Sequence, residues 1–152
     1  MHRYVDVDGH RMSVAVQGSG PRTLVLMPGL GTPEPILDFA PLAQRLAEQN
    51  TVVTIENFGL GLSDGTDAPR TSEGMVNEIR SALKTPGLDG PYVLMPHSIS
   101  GLYAMWWATN LPDESPPWWD SMTSVTRPSL PRAPRSGRGG CPPSRLRAVS
   151  VT

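Results

Sequence analysis

The stretch Val93-Leu94-Met95-Pro96-His97-Ser98-Ile99-Ser100-Gly101-Leu102 constrains this chain more than any other. An apolar run with a β-branched start reads as a buried strand. It stops at a serine among small residues, and Leu102, Met105 and Trp106 then follow at helical spacing. The predicted order is strand, sharp turn, helix, with Ser98 at the turn. A serine there projects from the carboxyl end of a strand with a helix N-terminus behind it. The next backbone N–H groups, that of Ile99 first, then face any oxygen on which negative charge develops. A plain strand-to-helix turn with a capping serine fits the same residues.

The preceding chain supplies the rest of a sheet. Tyr4–Val7 and Met12–Val16 alternate around Asp8-Gly9, which predicts a β-hairpin. Thr23-Leu24-Val25-Leu26-Met27 is continuously apolar, as in a strand covered on both faces. It ends at Pro28-Gly29-Leu30-Gly31, where glycine lets the backbone approach another group closely. A helix is expected from Pro41 through Ala47. The strand Thr51–Ile55 follows, then Glu56-Asn57-Phe58-Gly59-Leu60-Gly61-Leu62-Ser63-Asp64. Thr71 or Ser72 caps a further helix whose buried stripe is Val76, Ile79 and Leu83. Gly-x-Gly here lacks both the third glycine of a dinucleotide fingerprint and a P-loop lysine, which argues against nucleotide binding.

Three glycine- or serine-bearing turns after three successive strands resemble the α/β-hydrolase family. Pro96-His97-Ser98-Ile99-Ser100 is similar to its nucleophile elbow G-x-S-x-G, with Pro96 and Ser100 in place of both glycines. Gly-x-Gly-x-Ser-Asp at 59–64 matches the family loop D-x-R-G-x-G-x-S-D, from which Glu56 and Phe58 depart. The resemblance implies that Ser98 is a catalytic nucleophile and that Leu30 and Ile99 give the oxyanion-hole N–H groups. Gly29, Gly31, His97, Ser100 and Gly101 support these loops. It implies a mostly parallel α/β sheet over residues 1–112, with about six strands and three main helices. His97 is expected to point to the opposite side of the strand from Ser98 as a structural residue. His2 and His10 are expected far from the elbow. The elbow strand is expected to present an open apolar edge, leaving Trp106 or Trp107 short of cover.

Composition changes near Pro112. Residues 1–112 carry 7 basic and 11 acidic side chains, whereas 113–152 carry 6 arginines and 3 acids among seven prolines and seven serines. Such a tail has no periodic apolar face and is expected to be disordered. The fold is therefore expected to be an incomplete α/β-hydrolase domain, 1–112, followed by a Pro/Arg/Ser-rich tail, 113–152. The tail also reads as out of frame. Trp118, Trp119 and Met122 have single codons, and a one-base shift there allows Val-Val-Gly-Leu-Asp-Asp, similar to the next strand of the family.

The resemblance implies an esterase-like serine hydrolase acting on a small-molecule acyl or ester substrate. Serine in place of aspartate at the elbow argues against epoxide hydrolase or haloalkane dehalogenase chemistry. No histidine follows Ser98 in the sequence, so this chain is expected to be catalytically incompetent as it stands. The alternatives are a non-catalytic fragment, or an interaction protein with an anion-binding Arg-rich tail. No cofactor, metal, nucleic acid or membrane is expected as a partner. One cysteine, Cys141, excludes an internal disulfide, and a cytoplasmic location is expected.

Overall fold

The computed structural model describes residues 1–84, 88 and 90–115; the tail expected from 113 onward lies outside them beyond Ser115. β1 (His2–Val7) and β2 (His10–Gln17) form the hairpin. Its turn residues Asp8 and Gly9 have φ of 53° and 83°, the paired positive values of a tight two-residue hairpin turn. β3 (Thr23–Met27), β4 (Thr51–Glu56) and β5 (Tyr92–Pro96) complete one sheet in the order β1-β2-β4-β3-β5. β3 runs parallel to both β4 and β5, and β2 is antiparallel to β4. The described residues thus hold five strands, one fewer than expected.

The apolar run of β3 is fully buried because both its faces are covered. Leu24 and Leu26, with Val52 of β4, pack against Ala43, Phe39 and Leu46 around α2 (Ala40–Leu46). Val25 and Met27, with Val53 and Ile55 of β4, meet Val76, Ile79 and Leu83 of α3 (Ser72–Leu83). That split follows the two-residue period of the strands. Thr71 is the cap of α3, its hydroxyl accepting from Gly74 N at 3.0 Å. A short helix not anticipated from sequence, α1 (Pro35–Asp38), precedes α2.

α4 (Ser100–Asn110) follows the elbow and packs beside α3. Trp107 is fully buried, edge-on to Tyr92 at 5.9 Å between ring centroids. Of the two tryptophans expected to be short of cover, Trp107 is enclosed and Trp106 is half-buried. β5 is the edge strand on that side, as expected, and α4 packs beside it. Packing also continues past Pro112. Ser115 is buried, Glu114 carbonyl accepts from Tyr92 N at 2.7 Å, and Glu114 carboxylate takes hydrogen bonds from Arg80 Nε (2.6 Å) and Nη2.

The loop after β4 is held by a buried carboxylate. Glu56 Oε2 accepts from Leu62 N at 2.8 Å and Oε1 from Ile36 N at 3.3 Å. A Cβ on Gly61 would lie within 2.3 Å of that carboxylate, and Gly61 has φ of 52°, so only glycine fits there. Ser63 Oγ donates to Glu56 O (2.5 Å) and accepts from Ser13 N (2.8 Å). Asp64 accepts from Arg11 N and Nη2 at 2.8 and 3.0 Å. The serine and aspartate of this loop fasten it to β2, and the departure at Glu56 still supplies the carboxylate that the loop closes around.

Hydrogen bonds from Arg80, ahead of their charge attraction, hold the Glu114 carboxyl below its ordinary value of 4.5. A carboxyl lowered by folding adds stability that is present above its unfolded value and is lost as pH falls through the lower folded one. Urea midpoints measured from about pH 6 down to about pH 3 should therefore fall less steeply in Glu114→Gln than in the parent chain. Equal slopes would show that this pair does not contribute to acid unfolding.

Candidate active site

The sheet order places the elbow where loops diverge. β4 and β5 flank β3 on opposite sides, so the chain leaves the carboxyl ends of these parallel strands in two directions. Such a divergence opens a crevice above the strand ends, where open α/β sheets take ligands. The 28–31 loop after β3 and the Ser98 turn after β5 both lie there, joined at their base by His97 N donating to Met27 O at 2.9 Å.

Ser98 has φ of 56°. A non-glycine residue in that left-handed region carries backbone strain, and the surrounding structure must hold it. Gly101 N donates to Ser98 O at 2.9 Å and Ser100 N to His97 O at 3.2 Å, closing the turn into the first turn of α4. Ser98 itself is exposed.

The two loops meet at Gly29 and Ser100. A Cβ on Gly29 would stand 2.7 Å from His97 Nδ1 and 3.2 Å from Ser98 Cβ, so a side chain there would press on the elbow. Ser100, fully buried, donates its hydroxyl to Pro28 O. Serine in place of glycine at this position adds a tie between the loops as well as being small. Gly31 and Gly101 have open space around them, and nothing in their surroundings demands glycine by crowding.

β5 ends at Pro96, so strand alternation no longer governs the next two residues, and both His97 and Ser98 touch the space beside Gly29. The His97 ring is exposed and lies edge-on to Phe39 at 6.3 Å. His2 is remote, on the hairpin at the opposite edge of the sheet, with Nε2 2.9 Å from Ser13 Oγ. His10 is also on the hairpin; its ring meets Phe58 edge-on at 5.7 Å, and Phe58 lines the pocket beside the elbow.

That pocket, about 150 Å³, lies between the 28–31 loop, Ile99 and the loop after β4. Leu30 and Ile99 both line it, and neither backbone N–H has an acceptor among the described residues. Leu30 is 85% exposed. Asn57, Arg70, Met75 and Tyr103 complete the lining. Sequence reasoning missed these four, because they come from separate segments that only the fold brings together. Among the described residues no group of three or more His, Cys, Asp or Glu side chains could hold a metal ion. No helix among them is long and apolar enough to cross a membrane.

No family model matches the chain. It is 38% identical over 110 residues to the uncharacterized protein YbdG of Bacillus subtilis (strain 168), covering 72% of this chain and 34% of that protein. It is 29% identical over 92 residues to the uncharacterized protein YqjL of the same organism, covering 60% and 36%. The chain thus spans about a third of the length of these curated relatives. Among solved structures it resembles the epoxide hydrolase VrEH1 from Vigna radiata, with a TM-score of 0.66 and 20% identity over 76% of this chain and 36% of that one. It also resembles the thioesterase domain from the curacin biosynthetic pathway, with a TM-score of 0.64 and 22% identity over 76% and 43%. These likenesses show the α/β-hydrolase fold.

Two substitutions test the elbow. Replacing Ser98 by glycine relieves the left-handed strain, and Ser98→Gly is expected to stabilise the chain by about 1 kcal/mol in urea denaturation. A loss of stability would mean that the turn is not strained. Ser100→Ala removes the donor to Pro28 O and leaves that carbonyl without this partner. A loss of about 1–3 kcal/mol is expected in the same measurement, and no change would show the tie to be unimportant.

Proposed function

We propose that this chain carries the nucleophile and oxyanion-binding part of a serine hydrolase acting on esters or related acyl bonds. The observation that carries the reading is Ser98, held at a φ of 56° on a strand-to-helix turn, with the nearby N–H groups of Leu30 and Ile99 unpaired among the described residues. In the proposed reaction Ser98 Oγ attacks the acyl carbon as its proton passes to a base. The carbonyl oxygen takes up negative charge and is met by the Leu30 and Ile99 N–H groups. Collapse of this intermediate expels the alcohol or thiol and leaves the acyl group on Ser98. Water then releases the acid. Loops tied through Gly29 and Ser100 support this role, because oxyanion donors work by being in place before charge develops. Serine at the elbow favours acyl transfer over the epoxide opening named for several structural neighbours.

The same reading makes this chain by itself a poor catalyst. A serine hydroxyl is a weak nucleophile near neutral pH without a base to take its proton. No histidine follows Ser98, His2 and His10 lie on the hairpin, and His97 makes no hydrogen bond to Ser98 among the described residues. In a Ser-His-Asp enzyme loss of the histidine alone costs about a millionfold in turnover.

Nucleophile position and missing base are separated by experiment. The parent chain should hydrolyse an activated aryl ester no faster than Ser98→Ala and should label slowly or not at all with a fluorophosphonate. A thiol needs less help, having a few per cent thiolate at about pH 7. In a Cys141→Ser background, Ser98→Cys should therefore be acylated by the aryl ester in a stoichiometric burst. Slowing of that burst about a hundredfold relative to a free thiol would overturn the proposed site. Ser98-dependent turnover by the parent chain at an ordinary enzymatic rate would overturn the missing base.

A further inference from the structure

We propose that the pocket beside the elbow selects short acyl groups that end in a carboxylate, with Arg70 and Asn57 as the residues that read that end. The inference rests on the reading of Ser98 as nucleophile, since it places the far end of the acyl group in this pocket. Three observations carry it.

The first is size and position. The pocket is lined by Leu30 and Ile99 and has a volume of about 150 Å³. A cavity of roughly that volume takes a group the size of benzene, so a chain of a few carbons with a terminal group fits.

The second is the state of Arg70. Its Nη1 alone donates to both oxygens of Glu78, at 2.8 and 3.0 Å. Nε and Nη2 make no hydrogen bond among the described residues, although a guanidinium presents paired donors suited to a planar carboxylate. Glu78 is 9% exposed and sits on α3, so the ion pair fixes the arginine while leaving one edge of its fork to a ligand. The pair also keeps Arg70 from becoming a freely moving surface charge.

The third is Asn57. It is 5% exposed, it lines the same pocket, and its Oδ1 is buried with no partner. A buried polar atom without a partner is uncommon in a folded protein, and a ligand in this pocket would give the Asn57 amide one. Turning the amide over brings Nδ2 to the same place, a donor for a carboxylate oxygen. Against this, the apolar remainder of the lining, Phe58, Met75 and Tyr103, suits the methylene groups between the two ends. Apolar walls with a few placed polar groups are the general pattern of small-molecule sites.

Monomethyl succinate and methyl 4-oxopentanoate are near-isosteric esters that differ in whether the far end is a carboxylate or a neutral ketone. Their binding to the full Ser98→Ala chain, followed by chemical-shift titration, needs no catalysis. The half-ester is expected to bind on the order of tenfold tighter. That preference should vanish in Ser98→Ala carrying Arg70→Gln as well. Should Arg70→Gln fail to fold, salt provides the second reading. A preference due to a guanidinium at the pocket mouth shrinks as salt rises from about 0.05 to about 0.5 M. Equal binding of the two esters, or a preference that survives both Arg70→Gln and salt, overturns the proposal. The two readings fail separately. A half-ester preference without acylation of Ser98→Cys removes the nucleophile and leaves an anion pocket, whereas acylation without the preference removes only the selectivity.

Discussion

The candidate site depends on two loops meeting at the carboxyl end of β3 without a side chain between them. Gly29 occupies the meeting point, where a Cβ would crowd both His97 and Ser98. One residue earlier in the same loop, the Pro28 carbonyl takes the hydroxyl of buried Ser100. One contact therefore excludes bulk and the other supplies a directed bond. Together they set where the Leu30 and Ile99 N–H groups lie relative to Ser98. The strained backbone of Ser98 persists because its neighbours on both sides are already committed, Pro96 to the β3 ladder and Ser100 to the 28–31 loop.

The remainder of the described structure keeps that junction rigid. β3 is sandwiched between α2 on one side and α3 with α4 on the other, so neither strand end is free to shift. The Glu56 carboxylate draws in the loop after β4, and Ser63 and Asp64 secure that loop to β2. This loop forms the far wall of the pocket. Interactions that look unrelated to chemistry thus determine the width of the space into which a substrate would reach.

The resemblance to α/β-hydrolases rests on loop motifs that each depart from the family pattern, and the structure gives a physical account of two departures. At Ser100 a hydroxyl that fits in a glycine-sized space finds an acceptor within reach. At Glu56 a longer carboxylate still closes on Leu62 and Ile36 N–H groups, because Gly61 leaves it room. Phe58 lies edge-on to His10 and lines the pocket, a use that carries no trace in the motif itself.

Periodicity alone determined the strands, the covered faces of β3, the stripe of α3 and the strand–turn–helix order around Ser98. These features depend on neighbours in sequence, and the two- and near-four-residue periods record them directly. The cap at Thr71 and the Asp-Gly hairpin turn were legible for the same reason, being local chemistry of a few adjacent residues. Tertiary structure alone decided what meets across the sheet. Strand alternation ends at Pro96, the turn at Ser98 is left-handed, and only the fold brings both His97 and Ser98 against Gly29 of the β3 loop. Of Trp106 and Trp107, one of which was expected to lack cover, Trp107 is enclosed by Tyr92 and the other packed side chains of its cluster. Asn57 and Arg70 come from separate loops, and no local period links them. Their shared pocket arises because β4, β3 and β5 lie side by side with parallel ends, so that loops distant in sequence open onto one crevice.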